Sequence, residues 1–147
     1  MLKDILTNDT VETDVPVSTW KDAVKAVGHI LVRNGHVEEP FIDSMIGVVE
    51  EFGPYMILIP EVAFFHGRPG PDVHKACLSL VTLKQPVYFT EYDNQKITCA
   101  FGFGAIDNES HMNMLMEVTS LLQDETFIEL IRNHGSKEDI LKIIQNY

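Results

Sequence analysis

Basic residues are scarce in this chain. Eleven lysines and arginines face twenty-two acids, for a formal charge of −11. A surface this acidic repels phosphate backbones and disfavours nucleic acid as a partner. It keeps the protein soluble and can steer a basic protein toward it. Cysteine is scarce too. Cys77 and Cys99 are the only two, and both sit inside apolar runs. That usage argues against a disulfide framework and for buried, reduced thiols. No apolar run approaches the roughly 18 residues expected of a membrane span. The opening Met1-Leu-Lys-Asp-Ile-Leu-Thr-Asn-Asp9 carries acids where a signal peptide needs an unbroken apolar stretch. A cytoplasmic protein without membrane insertion is therefore expected. Repeats, low-complexity segments and linkers are absent, and 147 residues fit one domain spanning 1–147.

What is present alternates between two hydrophobic periods. Val11 to Val15 reads as a short strand ended by Pro16. Ser18 is a plausible N-cap for a helix from Thr19 to about Arg33, with Trp20, Val24, Val27, Ile30 and Leu31 at helical spacing. Asn34-Gly35 stops it. A second helix runs from Glu39 or Pro40 to Glu51, with Phe41, Met45, Val48, Val49 and Phe52 turned inward, and Gly53-Pro54 breaks it. Tyr55 to Ile59 is a continuous apolar run, as in a strand covered on both faces. After Pro60-Glu61, the strand pattern resumes over Val62 to Phe65. His66-Gly-Arg-Pro-Gly-Pro71 is a loop of turn residues. Ala76 to Leu83 and Ile97 to Phe103 read as buried strands, with a short one at Val87 to Phe89.

Asp107 or Asn108 can cap a helix through Leu122, with Met112, Leu115, Met116, Thr119 and Leu122 as its apolar stripe. Two further helices follow, Glu125 to Asn133 and Ser136 to Gln145, separated by His134-Gly135. The second opens on a sequence resembling a capping box. The expected fold class is α/β, a mixed sheet flanked by helices.

The chemistry-bearing candidates are the histidines. His29 and His36 read as surface residues, His74 as a solvated turn residue, and His134 as a partner for the negative end of a helix. A metal site from His66, His74 and Cys77 matches no compact zinc pattern and is short of ligands, so no metal and no cofactor are assigned. Neither cysteine has the electropositive setting that a nucleophile needs.

His66 differs from the others in its setting. It follows an apolar strand directly, where the chain turns into a Gly/Pro-rich loop, and functional groups gather at such strand ends. Arg68 brings a planar fork of donors suited to phosphate oxygens. Gly67 and Gly70 allow close backbone approach to an anion. His111 sits in the first turn of a helix, where free N–H groups and the dipole favour an anion. Spacing alone leaves two accounts open for each histidine, a functional group or an ordinary residue at an element end.

Three segments then carry a resemblance. Gly53-Pro-Tyr-Met-Ile-Leu-Ile-Pro-Glu-Val-Ala-Phe-Phe-His-Gly-Arg-Pro69 resembles the active-site segment of the type-2, mannitol–fructose class of phosphotransferase-system enzyme IIA proteins. Leu78-Ser-Leu-Val-Thr-Leu-Lys-Gln-Pro-Val-Tyr-Phe89 resembles the strand pair that follows in that family. Asn108-Glu-Ser-His-Met-Asn-Met-Leu115 resembles its Asn-x-x-His-x-x-x-Leu element. The Gly-Pro-Tyr, His-x-Arg-Pro and Leu-Lys-x-Pro-Val elements together resemble the ascorbate- and galactitol-type branch. The chain departs from the family at Phe65, where proline is frequent. It departs again at Glu50, which stands where mannitol-type members carry a functional arginine.

The resemblance implies the enzyme IIA fold and a phosphohistidine relay. The phosphocarrier protein HPr would phosphorylate His66, through Nε2 as in the family. His66 would pass the group to a cysteine of a IIB partner, for sugar uptake through a membrane IIC partner. This chain is too short to contain IIB or IIC, so both are expected as separate proteins. His111 is implied as a stabiliser of the phosphoryl group, and Arg68 is inferred as the cation that replaces the arginine missing at Glu50. A regulatory role, as in the nitrogen-type enzyme IIA proteins, and a non-catalytic binding module are the alternatives.

Overall fold

Every strand of the protein joins one sheet, in the order β1-β4-β5-β3-β2. The computed structural model describes residues 1–147. The strands are β1 (Val11–Val15), β2 (Ile57–Ile59), β3 (Glu61–His66), β4 (Cys77–Phe89) and β5 (Gln95–Gly104). β1 lies parallel to β4 and β3 parallel to β5, while β4–β5 and β2–β3 are antiparallel. The sheet is thus mixed and flanked by helices, as expected.

The period of two along β3 sorts its side chains between two cores. Ala63 and Phe65 enter the core shared with α2 (Trp20–Arg33) and α3 (Pro40–Phe52). Val62 and Phe64 enter the core on the other face. That second core is covered by α1 (Leu2–Ile5), α4 (Asn108–Leu121), α5 (Glu125–Arg132) and α6 (Lys137–Ile144). Phe101 and Phe103 of β5 join Phe64 there. Continuing the alternation, His66 emerges on the Phe64 side, the side on which α4 packs.

The helix ends follow local chemistry. The hydroxyl of Thr19, not Ser18, caps α2, accepting from the Asp22 N–H at 3.2 Å. Thr19 holds the extended backbone an N-cap requires. At its other end the Gly35 N–H reaches the Val32 carbonyl and the His36 N–H the Leu31 carbonyl, with Gly35 at φ 74°. This double closure needs a left-handed residue, which glycine supplies. Pro40 opens α3, where its missing N–H costs nothing.

Four sequence expectations change, and one element was not foreseen. The run at Tyr55–Ile59 is not a strand covered on both faces. β2 is a three-residue edge strand, and Tyr55 and Leu58 are exposed. Phe52 does not face the core, because the chain leaves α3 there and the ring is 57% exposed. The two expected strands around Lys84-Gln85-Pro86 are one strand, β4, with a register shift between Thr82 and Val87 that carries exposed Lys84, Gln85 and Pro86. An irregularity of this kind is where a sheet tolerates proline. The stripe of α4 is phased differently. Met114, Val118 and Leu121 are buried, and Met112 and Met116 face solvent. Residues two apart on a helix point to opposite sides, so only one set can meet the sheet. Last, α1 carried no legible pattern, being four residues long.

Both cysteines are buried and free, and burial pushes the Cys77 thiol up to about 12. No helix is long and apolar enough to cross a membrane.

The close approach of α2 to the sheet depends on Gly102 of β5. A Cβ there would lie 2.7 Å from both Ser79 Oγ and Val27 Cβ, and Ser79 Oγ itself donates to the buried Val27 carbonyl at 2.8 Å. Gly102→Ala must push the helix off the sheet or break that bond. A loss of about 1–3 kcal/mol is expected, the usual cost of overpacking. Urea unfolding checks it, and a midpoint equal to that of the native protein would contradict it.

Candidate functional site

His66 is the last residue of β3 and is held by its parallel neighbour, pairing with Phe103 of β5. Its side chain is fixed from two sides. Nδ1 lies 3.2 Å from the carbonyl oxygen of Phe64, and Nε2 lies 2.8 Å from the hydroxyl of Tyr55. A carbonyl oxygen can only accept, so Nδ1 carries the hydrogen and Nε2 the lone pair. Tyr55 then donates its O–H to Nε2. Burial holds the imidazole below its ordinary pKa. The Phe64 carbonyl opposes that effect, and the nearby His111 adds to it. The ring is therefore neutral at pH 7 and offers a lone pair at Nε2.

The loop after His66 is tightly seated. A Cβ at Gly67 would lie 2.8 Å from both Phe41 Cε1 and Ser44 Oγ, so glycine lets the loop lie against α3. The Arg68 N–H donates to Ser44 Oγ at 3.2 Å. The Arg68 guanidinium forms an ion pair with Glu51 and lies 6.0 Å from the Phe52 ring centre. It is largely exposed, so a pair of this kind is a weak tether. Glu50 turns elsewhere, toward Lys21 Nζ at 3.4 Å.

α4 brings the second histidine. Asp107 caps the helix, accepting from the Ser110 N–H at 2.8 Å, while Ser110 Oγ lies 3.3 Å from the Asp107 N–H. This capping box holds the Asp107 carboxyl below the usual carboxylate range, chiefly through the Ser110 backbone bond. Part of the helix's capacity for an anion is thus met by its own cap. What α4 adds to the site is the His111 ring, 5.0 Å from the Phe103 centroid and 5.6 Å from that of His66, edge-on to the latter.

One open pocket collects these groups. It is lined by Val48, Phe52, Tyr55, His66, Gly67, Arg68, Pro69, Asn108 and His111. All three sequence candidates, His66, His111 and Arg68, line it, and Glu50 does not. Tyr55, Ser44 and Asn108 were missed as site residues. The Gly53-Pro54 break just before Tyr55 was the available signal, because a turn there aims the next side chain at whatever follows β3. The other histidines stay apart from the pocket. His74 Nε2 pairs with Glu38 at 2.7 Å, His134 Nδ1 with Asp14 at 2.8 Å, and exposed His29 faces Glu39. His36 is not a plain surface residue as expected. It is half-buried with Nδ1 unpartnered, and burial lowers its pKa. No group of three His, Cys, Asp or Glu side chains is placed to hold a metal ion.

Comparison with known proteins adds the lineage. The family described as phosphoenolpyruvate-dependent sugar phosphotransferase system, EIIA 2, matches residues 4–147. The ascorbate-specific PTS system EIIA component of Salmonella choleraesuis is 32% identical over 138 residues, covering 93% of this chain and 90% of that protein. The solution structure of the mannitol-specific cryptic phosphotransferase enzyme IIA CmtB from Escherichia coli superposes with a TM-score of 0.87 at 27% identity, covering 99% of each chain. Enzyme IIA of the mannitol system of Escherichia coli, solved in complex with its phosphorylated enzyme IIB, has a TM-score of 0.84 over 97% of this chain and 100% of its own. At 20% identity, that last likeness speaks for the fold alone. The pocket around His66 accordingly lies in a chain that belongs to the type-2 enzyme IIA family of the sugar phosphotransferase system, as a phosphotransferase component of that system.

Proposed function

We propose that His66 is the phosphoryl carrier of this enzyme IIA, receiving the group from phosphorylated HPr and passing it to a cysteine of a IIB protein. The observation that carries the proposal is the fixed tautomer. Nδ1–H is tied to the Phe64 carbonyl, and the unprotonated Nε2 faces the pocket. In the forward step the Nε2 lone pair attacks phosphorus as the donor's P–N bond breaks. The bonding pair leaves on the donor's ring nitrogen. No proton has to move at His66, because Nδ1 keeps its hydrogen throughout. The positive charge that develops on the ring falls on the nitrogen facing a carbonyl oxygen.

Positioning and charge stabilisation supply the rest, as in phosphoryl transfer generally. His111 faces His66 from α4 and donates to a phosphoryl oxygen. Arg68 lines the pocket and reaches that oxygen by exchanging its Glu51 partner for the new dianion. Exposed Phe52, Tyr55, Ile106 and Met112 belong to segments that border the pocket, and they suit an apolar docking surface for the two protein partners. The relay places the protein in the cytoplasm and delivers phosphate to a sugar entering through a IIC permease. The ascorbate-specific relatives support ascorbate or a related sugar as the compound carried.

The decisive experiment is incubation with phosphoenolpyruvate, enzyme I and HPr, followed by intact mass. The wild-type chain should gain one acid-labile, base-stable phosphoryl group, and His66→Ala should gain none. A stable label on the alanine variant would place the carrier elsewhere.

His111→Ala should leave the fold intact and slow transfer by about 10- to 1000-fold, the range for loss of one transition-state donor. Stopped-flow transfer rates equal to wild type would remove His111 from the chemistry.

Glu51 and Arg68 make opposite predictions. Arg68→Ala should lower the rate at saturating HPr, and Arg68→Lys should recover only part of it, since lysine restores charge but not the fork. Glu51→Gln frees the guanidinium and should lengthen the phosphohistidine lifetime. Rate-versus-HPr curves and hydrolysis half-lives check both. Movement of the Michaelis constant alone would make Arg68 a docking residue.

A further inference from the structure

Tyr55 is the only side chain within hydrogen-bond distance of the nitrogen that the proposed reaction uses. Its hydroxyl lies 2.8 Å from His66 Nε2, and its ring stands edge-on to the imidazole with centroids 5.8 Å apart. The placement is built in. Gly53 takes φ 78° to end α3, and Pro54 turns the chain so that Tyr55 faces the end of β3. Phe52 packs on the tyrosine from behind, edge to face at 6.0 Å. Tyr55 is more than half exposed, so core packing does not account for this position.

We propose that the Tyr55 hydroxyl belongs to the reacting centre: it covers the Nε2 lone pair at rest and turns to a phosphoryl oxygen once Nε2 carries the phosphoryl group. This rests on the assignment of His66 as the carrier. Nε2 is the unprotonated nitrogen, so the hydrogen between the two atoms is the tyrosine's. Partial burial pushes the Tyr55 pKa up, and the hydroxyl keeps its proton at neutral pH. As the donor approaches, the O–H releases the lone pair. The Nε2–P bond forms, and the donor's P–N bond breaks with its electron pair leaving on the donor. The tyrosine proton stays on oxygen throughout and only changes acceptor, from a neutral nitrogen to an anionic oxygen. Hydrogen bonds to ionised acceptors are roughly twice as strong. The hydroxyl thus binds the loaded form more strongly than the resting one, and it speeds the step by the share of that gain already made in the transition state. No other side chain contacts Nε2, and the Arg68 guanidinium must first leave Glu51 to reach a phosphoryl oxygen.

The test uses Tyr55→Phe, which keeps the ring and its packing and removes only the oxygen. Wild type and variant are phosphorylated by HPr across a range of HPr concentrations, and the hydrolysis half-life of each phosphorylated form is measured. The expected result is a fall of about tenfold in the saturated rate, with an unchanged half-saturating concentration and a shorter phosphohistidine half-life. A shift in half-saturation alone makes Tyr55 a docking ring and overturns the proposal. So do identical curves and half-lives. A wild-type chain that accepts no phosphate at all overturns the carrier assignment first, and this proposal with it.

Discussion

The hydrogen bond from His66 Nδ1 to the Phe64 carbonyl decides what the pocket can do. An imidazole on a mobile loop would sample both tautomers and several orientations. Here the accepting oxygen belongs to the same strand two residues earlier, and that strand is held by six registered pairs with β5. The unprotonated nitrogen is therefore oriented by the sheet and needs no loop to hold it. For the proposed transfer at that nitrogen, the entropy of orienting it is lost once, on folding. Phe64 also supplies the ring that stacks on Phe103, and Phe103 in turn packs on His111. One strand end and one helix start are joined through a continuous aromatic layer.

How the sequence announces this is uneven, for physical reasons. The buried strands β3, β4 and β5 and the amphipathic helix α2 were legible because their hydrophobic periods meet a core directly. The phase of α4 was not. Met112 and Met116 are as apolar as Met114 and Val118, and only the sheet decides which pair is covered. The edge strand β2 misled for the converse reason. Of its three apolar residues only Leu58 is exposed, while Ile57 and Ile59 rest half-buried against the two cores. Exposed apolar residues near a functional site violate the pattern that sequence reading relies on.

The site divides along the same line. His66 was legible from its own neighbours, because a strand running into a Gly/Arg/Pro loop is a local feature. His111 was legible as a helix start, yet its pairing with His66 is tertiary and rests on which side of β3 position 66 falls. Tyr55 had only the Gly53-Pro54 break before it as a signal, and that break does not say where the ring goes. Its contact spans eleven positions and depends on a left-handed glycine at Gly53 that a one-dimensional pattern does not reveal. Ser44 lies further still from the loop it supports, across 24 positions.

The sparse charge of the pocket fits the demands of the proposed carrier role. A relay component must take a phosphoryl group from one protein and release it to the next, so neither state can be held much more tightly than the other. A bare arginine aimed at the phosphoryl group favours the loaded state strongly, because a bidentate pair with a dianion is among the stronger contacts a protein makes. In this chain Glu50 is committed to Lys21, and the loop arginine is shared with Glu51. Any phosphoryl group must draw Arg68 from an existing partner, which reduces the net gain. The other two polar groups at the pocket, the His111 ring and the Tyr55 hydroxyl, can each offer a single hydrogen bond and no bidentate fork. Under the proposed relay, such an arrangement would stabilise the transferred group enough to form and hold it weakly enough to leave.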